Sequence, residues 1–354
     1  MANSGSILHS RNRIPAILAI ACGLALSLIA SASTAARAVD TLQLTSAADQ
    51  TEANLLQPKL GQYTGKPKIG LALGGGGARG AAHVGVLKVL EKEGIKFDYV
   101  TGTSIGAIVG GFYCLGAKPE EMEEPFESGE VMRHFMTVPL TVRFAAAPIL
   151  YIPRLLGAHP YDGLYGGKRF RHYLMAGMST SDQNIENLPI TFAAVSFNLL
   201  DGKPYMIRKG NLAQAMIASS AVPSLRKPVE IDGQLMADGG VICNLPVKQC
   251  RELGADFVIA VNIDQPFKVE KPEVFRAAGS ITQRMITWGL YDMDRMQAQM
   301  ADIVIHPDTS NISLISTKRS DAKRALQAGI KAAEEALPLI REKMSKFNKT
   351  ASAN

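Results

Sequence analysis

The chain has 354 residues, room for one large domain or two ordinary ones, and its 47% hydrophobic share is that of a globular protein with a sizeable core. Its formal charge of +6 owes three arginines to residues 1–38, which hold no acid, so the rest carries +3. That mild bias suits an anionic membrane surface and excludes a nucleic-acid footprint, and four cysteines are too few for a disulfide framework.

Arg11 and Arg13 precede an apolar run from Ile14 to Ala30, and small residues then end in Ala36-Arg37-Ala38. A basic start, an apolar stretch and an A-x-A site predict an export signal cut after Ala38, placing the protein in the periplasm or cell envelope, or outside the cell. An uncleaved membrane anchor is the alternative, since such a run can just span a bilayer. Cys22 faintly suggests lipoprotein processing, but the apolar run continues past it. Residues 39–66 are polar and aperiodic, and read as a linker or irregular arm. The remaining cysteines, Cys114, Cys243 and Cys250, have no metal-site spacing, and Cys114 falls in an apolar helix.

The catalytic unit is expected over residues 67–262. Ile69 to Leu73 predicts a buried strand, and Gly74 to Gly77 follow it without a side chain. Ala78 to Lys92 carries apolar residues at helical spacing, ended by Gly94. A second short strand around Tyr99 and Val100 runs into Gly102-Thr103-Ser104-Ile105-Gly106, and an apolar helix starts at once. Strands joined by a crossover helix are normally parallel, so both loops emerge at one sheet edge, where open α/β folds place ligands. Gly-x-Ser-x-Gly at a strand-to-helix turn is a nucleophile elbow. The N–H groups of Gly75, Gly76 and Gly77 can approach a reacting carbonyl there and hold its oxyanion. A nucleophile facing such donors is the layout of an acyl-transfer enzyme.

Pro119 to Glu124 is a solvated helical stretch. Val131 to Gly167 is apolar but broken by Pro139, Pro148, Pro153 and Pro160, which forbid one long helix. Such short apolar elements fit a lid, a bilayer-contacting flap, or a cap packed permanently on the core. Pro189 to Asn198 predicts a buried strand, paired with Lys203 to Ile207 across Asp201-Gly202. Leu212 to Ser220 reads as a helix. Val229 to Ala237 reads as a hairpin with Asp232-Gly233 at its tip, delivering Asp238-Gly239-Gly240 at its end. Asp256 to Asn262 is another central strand. The methionines of a helix over 281–300 are expected to pack in the core. A strand at 301–305 and a helix over 319–346 close the chain.

The segments Gly75-Gly76-Gly77-Ala78-Arg79-Gly80, Gly102-Thr103-Ser104-Ile105-Gly106 and Asp238-Gly239-Gly240 resemble the three motifs of the patatin-like phospholipases, seen also in bacterial members. The resemblance implies an α/β, patatin-like three-layer fold with a mainly parallel central sheet. It also implies a Ser104–Asp238 dyad acting on fatty-acyl esters of phospholipids or lysophospholipids, with no metal and no cofactor. The third motif has glycine where many members have alanine. In bacterial members a similar helix-strand-helix follows the core, so residues 263–354 are expected to extend one continuous domain. The expected partner is a lipid or acyl ester, met by transient contact with a membrane surface.

Three other readings stay open. Gly75-x-Gly77-x-x-Gly80 also fits a dinucleotide fingerprint, but the second strand ends in Thr101-Gly102 where that motif expects an acid. Ser104, Asp238 and His306 occur in the chain order of an α/β-hydrolase triad. A catalytically silent lipid-binding module is the third, against which Ser104 and Asp238 both argue. Arg79 reads either as charge near the oxyanion or as an outward surface residue.

Overall fold

A computed structural model of the protein describes residues 68–136, 156–157, 161–178 and 183–352. The export signal, the arm and most of the proline-broken segment lie outside the described residues.

The strands are β1 (Ile69–Leu73), β2 (Tyr99–Thr103), β3 (Thr191–Asn198), β4 (Lys203–Ile207), β5 (Val229–Ile231), β6 (Gln234–Asp238), β7 (Phe257–Val261) and β8 (Ile303–Ile305). The helices are α1 (Ala81–Lys92), α2 (Ile105–Leu115), α3 (Pro119–Glu127), α4 (Glu130–Phe135), α5 (Lys168–Ala176), α6 (Leu212–Ser219), α7 (Val247–Glu252), α8 (Ser280–Gln299) and α9 (Arg319–Ser352). All strands join one sheet in the order β5-β6-β3-β2-β1-β7-β8, with β4 on β3. The five from β3 to β8 run parallel, while β4, β5 and β6 are antiparallel additions. This is a mixed α/β fold with a mainly parallel central sheet.

Successive strand residues point to opposite faces, and the two cores follow that alternation. Leu71, Leu73, Ile259 and Val261 belong to the larger core, with α1, α2, α6 and α9. Ala72, Val258 and Ala260 belong to the smaller one, beneath Val247 and Cys250 of α7. Helices thus cover both faces, and strands buried on both sides read as nearly unbroken apolar runs. Residues after 262 join the same sheet, because β8 pairs with β7 and α9 packs along α1.

The edge of β3 carries the feature that positions the site. Thr191 to Val195 pair with β2, and Ser196 to Asn198 pair with β6 along that same edge, since β4 occupies the other. β2 and β6 therefore approach head-on. Thr103 lies opposite Val195 and Asp238 opposite Ser196, in adjacent registers.

The methionine-rich helix departs from expectation. In α8, Met285 is 70% and Met296 53% exposed, and Ile281, Ile286 and Trp288 are exposed too. The helix lies on the outside and these side chains face away from the core, while Ala298 packs against the smaller one. Its one described side chain that is buried is Asp294.

Candidate active site

Ser104 leaves β2 with φ 54° and ψ −120°, a backbone state few non-glycine residues adopt. Such strain costs roughly 1–3 kcal/mol and persists only when the surroundings hold it. They do so here by close approach. A Cβ on Gly102 would strike the Gly106 carbonyl, and one on Gly106 would strike the carbonyls of Leu73 and Gly74. The Ser104 N–H donates to Ser219 Oγ at 2.9 Å, and Ser219 Oγ–H donates to Val195 O at 2.6 Å. Ser219, at the end of α6, thus ties the elbow to β3. Nothing in its sequence neighbourhood marks that role.

The head-on strands bring Ser104 and Asp238 together: the Ser104 hydroxyl donates to Asp238 Oδ2 at 2.8 Å. Asp238 Oδ1 accepts from the Gly240 N–H at 2.7 Å, and the Asp238 N–H donates to Ala221 O. Asp238 is 5% exposed. Burial pushes its carboxyl up to about 6, against the opposing pull of the bonds from Gly240 and Ser104. Ser104 also sits at the N-terminus of α2, where the helix dipole favours negative charge on its oxygen.

The glycine loop is fixed at its start. Gly74 N–H donates to Val261 O, and Gly75 N–H to Asn244 O at 3.1 Å. Gly75 therefore differs from the sequence expectation, because its donor is already bonded to the backbone. Gly76 and Gly77 line the same cavity as Ser104 and Asp238. Gly80, behind them, closes the short 3-10 turn that leads into α1. Gly239 begins the turn after β6, passing so close to the Val195 carbonyl that a Cβ would strike it.

Arg79 is neither an outward surface residue nor part of the cavity around Ser104. It is 7% exposed and bonds Ile312 O through Nε and Asp264 Oδ1 through Nη1. His83 is fully buried behind the loop, its Nε2–H donating to Gly74 O, and burial lowers its imidazole to about 4. His306 bonds the Asp264 carbonyl and lines a separate cavity. Among the described residues no histidine lines the cavity around Ser104.

That cavity holds about 260 Å³. Ser220, Asn244 and Asp264 also line it, and the rest of its wall is apolar, with Ile108, Val131, Met132, Phe135, Phe170 and Leu225. Val131 to Phe135 belong to the segment read as a flap. They form α4, while residues 137–155 and 158–160 are not among those described.

Fold and site together define an α/β protein with an elbow serine bonded directly to a carboxylate. The patatin-like phospholipase family profile matches residues 71–251, and the chain belongs to that family. It is 34% identical over 198 residues to an uncharacterized NTE family protein of Mycobacterium tuberculosis strain H37Rv, covering 56% of this chain and 49% of that protein. It is 33% identical over 195 residues to the lysophospholipase nte1 of Emericella nidulans, covering 55% of this chain and 12% of the fungal protein. The chain spans about half the length, or less, of these curated relatives. Among solved structures it is similar to human GIVD cytosolic phospholipase A2, with TM-score 0.45, 13% identity and coverage of 81% of this chain and 60% of that one. VipD from Legionella pneumophila matches with TM-score 0.44 and 15% identity, over 78% of this chain and 67% of its own.

Proposed function

We propose that the protein is a serine acyl hydrolase that cleaves fatty-acyl esters of phospholipids or lysophospholipids through a Ser104–Asp238 dyad and an acyl-enzyme. The observation that carries this reading is the direct Ser104 Oγ–H to Asp238 bond at 2.8 Å, opening on an apolar cavity. Family membership and the lysophospholipase among the relatives support the substrate class.

In the first half-reaction Asp238 takes the proton of Ser104 as its oxygen attacks the ester carbonyl. The oxyanion is held by the N–H groups of Gly76 and Gly77, without Gly75, and by the end of α2. The leaving alcohol takes the proton back from Asp238, and the acyl chain stays on Ser104 along the apolar wall. Asp238 then removes a proton from water, which attacks the acyl-enzyme; the fatty acid leaves as Asp238 returns the proton to Ser104 Oγ. On this reading the protein meets lipid at a membrane surface in the cell envelope, exported by its N-terminal segment.

A carboxylate at its ordinary value is a weak base for this work, and burial strengthens it. The base is the charged form, so turnover should be full above about pH 6 and fall toward tenfold per unit below it. We expect kcat/KM on a soluble short-chain ester to show that single acidic limb. A rate unchanged between pH 5 and pH 7, with the fold intact, means that Asp238 is not the base.

A further inference from the structure

A polar cluster borders the glycine loop, its hub Asn244, and Asn244 and Asp264 reach the wall of the cavity around Ser104. Its backbone carbonyl accepts the Gly75 N–H, as described above. Its side-chain oxygen is wedged between the two loops that build the site. A Cβ on Gly240 would lie 3.1 Å from Asn244 Oδ1, and one on Gly75 would collide with it. The flanking chain is anchored to β2, whose Thr101 and Thr103 hydroxyls donate to Pro246 O and Cys243 O at 2.8 Å each.

The orientation of the Asn244 amide is set from behind. Nδ2 donates to Asp264 Oδ2 and to Asp294 Oδ2, at 3.0 Å each. Carboxylates accept and do not donate, so the NH₂ group must face them and the oxygen must face the glycines. Asp294 Oδ1 also accepts the Leu245 N–H at 3.1 Å. Asp264 in turn holds Arg79, on the far side of the glycine loop. Burial raises both carboxyls, Asp294 up to about 7.

Asp294 is the notable member. It stands on α8, outside the segment matched by the family profile, on a helix whose other described side chains are at least partly exposed. Burying a carboxyl costs several kcal/mol unless hydrogen bonds offset it, and apolar residues could fill the same space. Here its partners lead to the loops around Ser104.

We infer that Asp294 is a positioning residue for the reaction: with Asp264 it fixes the Asn244 amide between Gly75 and Gly240, and so sets where the Gly76 and Gly77 donors stand relative to Ser104. It touches no reacting atom. The inference rests on the hydrolase reading above.

The test compares Asp294→Ala, Asp294→Asn and Ser104→Ala on a soluble short-chain ester, each with a melting curve. A displacement near 1 Å at such a site can lower turnover by about 100-fold. We expect Asp294→Ala to lower kcat by about 30-fold, with KM within about twofold and cooperative melting retained, since substrate binding uses the apolar wall. Both Asp294 carboxylate oxygens accept, from Asn244 Nδ2 and from Leu245 N–H, so Asp294→Asn sets an NH₂ against one of these donors and should lower kcat as well. A kcat within about threefold of wild type in Asp294→Ala or in Asp294→Asn overturns the inference, as does a change confined to KM. Should Asp294→Ala fail to fold, Asn244→Ala decides: it keeps the backbone bond to Gly75 but removes the wedge. A loss of at least about tenfold supports the inference and one below about threefold rejects it. Ser104→Ala separates the two ideas. If that variant stays active, the hydrolase reading itself has failed; if it is dead while the others are unaffected, only the role of Asp294 has.

Discussion

Ser104→Ala is expected to lower ester hydrolysis by on the order of 10,000-fold or more, because on the proposed mechanism removing the serine nucleophile leaves only the residual rate that binding and an oxyanion hole supply. The fold should survive. The change removes one oxygen, and the bond it makes to Asp238 contributes about 1–2 kcal/mol. The bond from the Ser104 N–H to Ser219 and the close packing around Gly102 and Gly106 do not involve the hydroxyl. Alanine tolerates φ 54° no better and no worse than serine, so the strain of the elbow is unchanged. Hydrolysis of a short-chain ester, read beside a thermal melt, checks both halves. A normally folded variant keeping more than about a tenth of the activity places the nucleophile elsewhere.

Asp238→Asn should be nearly as dead, and it should also melt higher than wild type at pH 8. Burial lifts this carboxyl from 3.8 to about 6, so its charge opposes folding. A shift of that size corresponds to roughly 3 kcal/mol at most, on the order of the cost of the buried charge. The sign follows from which state holds the proton. Between about pH 4 and pH 6 the folded chain keeps a proton the unfolded chain has lost, so this penalty grows as pH rises through that window and is complete above it. The amide carries no charge, and its oxygen can still accept from Gly240 N–H. The stability gain should therefore be largest above pH 6 and vanish toward pH 4. His306→Ala, in contrast, should leave turnover within about twofold, since that ring bonds a carbonyl in a separate cavity. A loss in His306→Ala as deep as in Ser104→Ala, with normal folding, would restore the triad.

How much of this was legible beforehand depends on whether the deciding interaction is local. The alternation of strand, loop and helix from Ile69 to Leu115 could be read because buried parallel strands are short apolar runs and crossover helices keep their own period. The hairpin at Asp232-Gly233 was equally plain, since both residues adopt positive φ there. The resemblance to the patatin-like motifs singled out Ser104 and Asp238, but not the geometry that joins them. That geometry arises because β2 and β6 share one edge of β3 from opposite ends, a pairing that no local pattern carries. Gly75, Ser219 and Asn244 show the same limit. The first has its N–H taken by a residue far along the chain, and the other two act through long-range hydrogen bonds. The helix α8 misled for a different reason. Methionine spacing marks an apolar face, but burial depends on what stands opposite, and here the buried position of the helix went to Asp294.

The central claim, that Ser104 is the acylated nucleophile activated by Asp238, is met most directly by labelling the protein with a fluorophosphonate and mapping the adduct by peptide mass analysis. The account predicts one adduct, on the peptide containing Ser104, forming as ester hydrolysis is lost, absent in Ser104→Ala and strongly slowed in Asp238→Asn. An adduct on another residue, or hydrolysis that is lost while Ser104 stays unmodified, would contradict it.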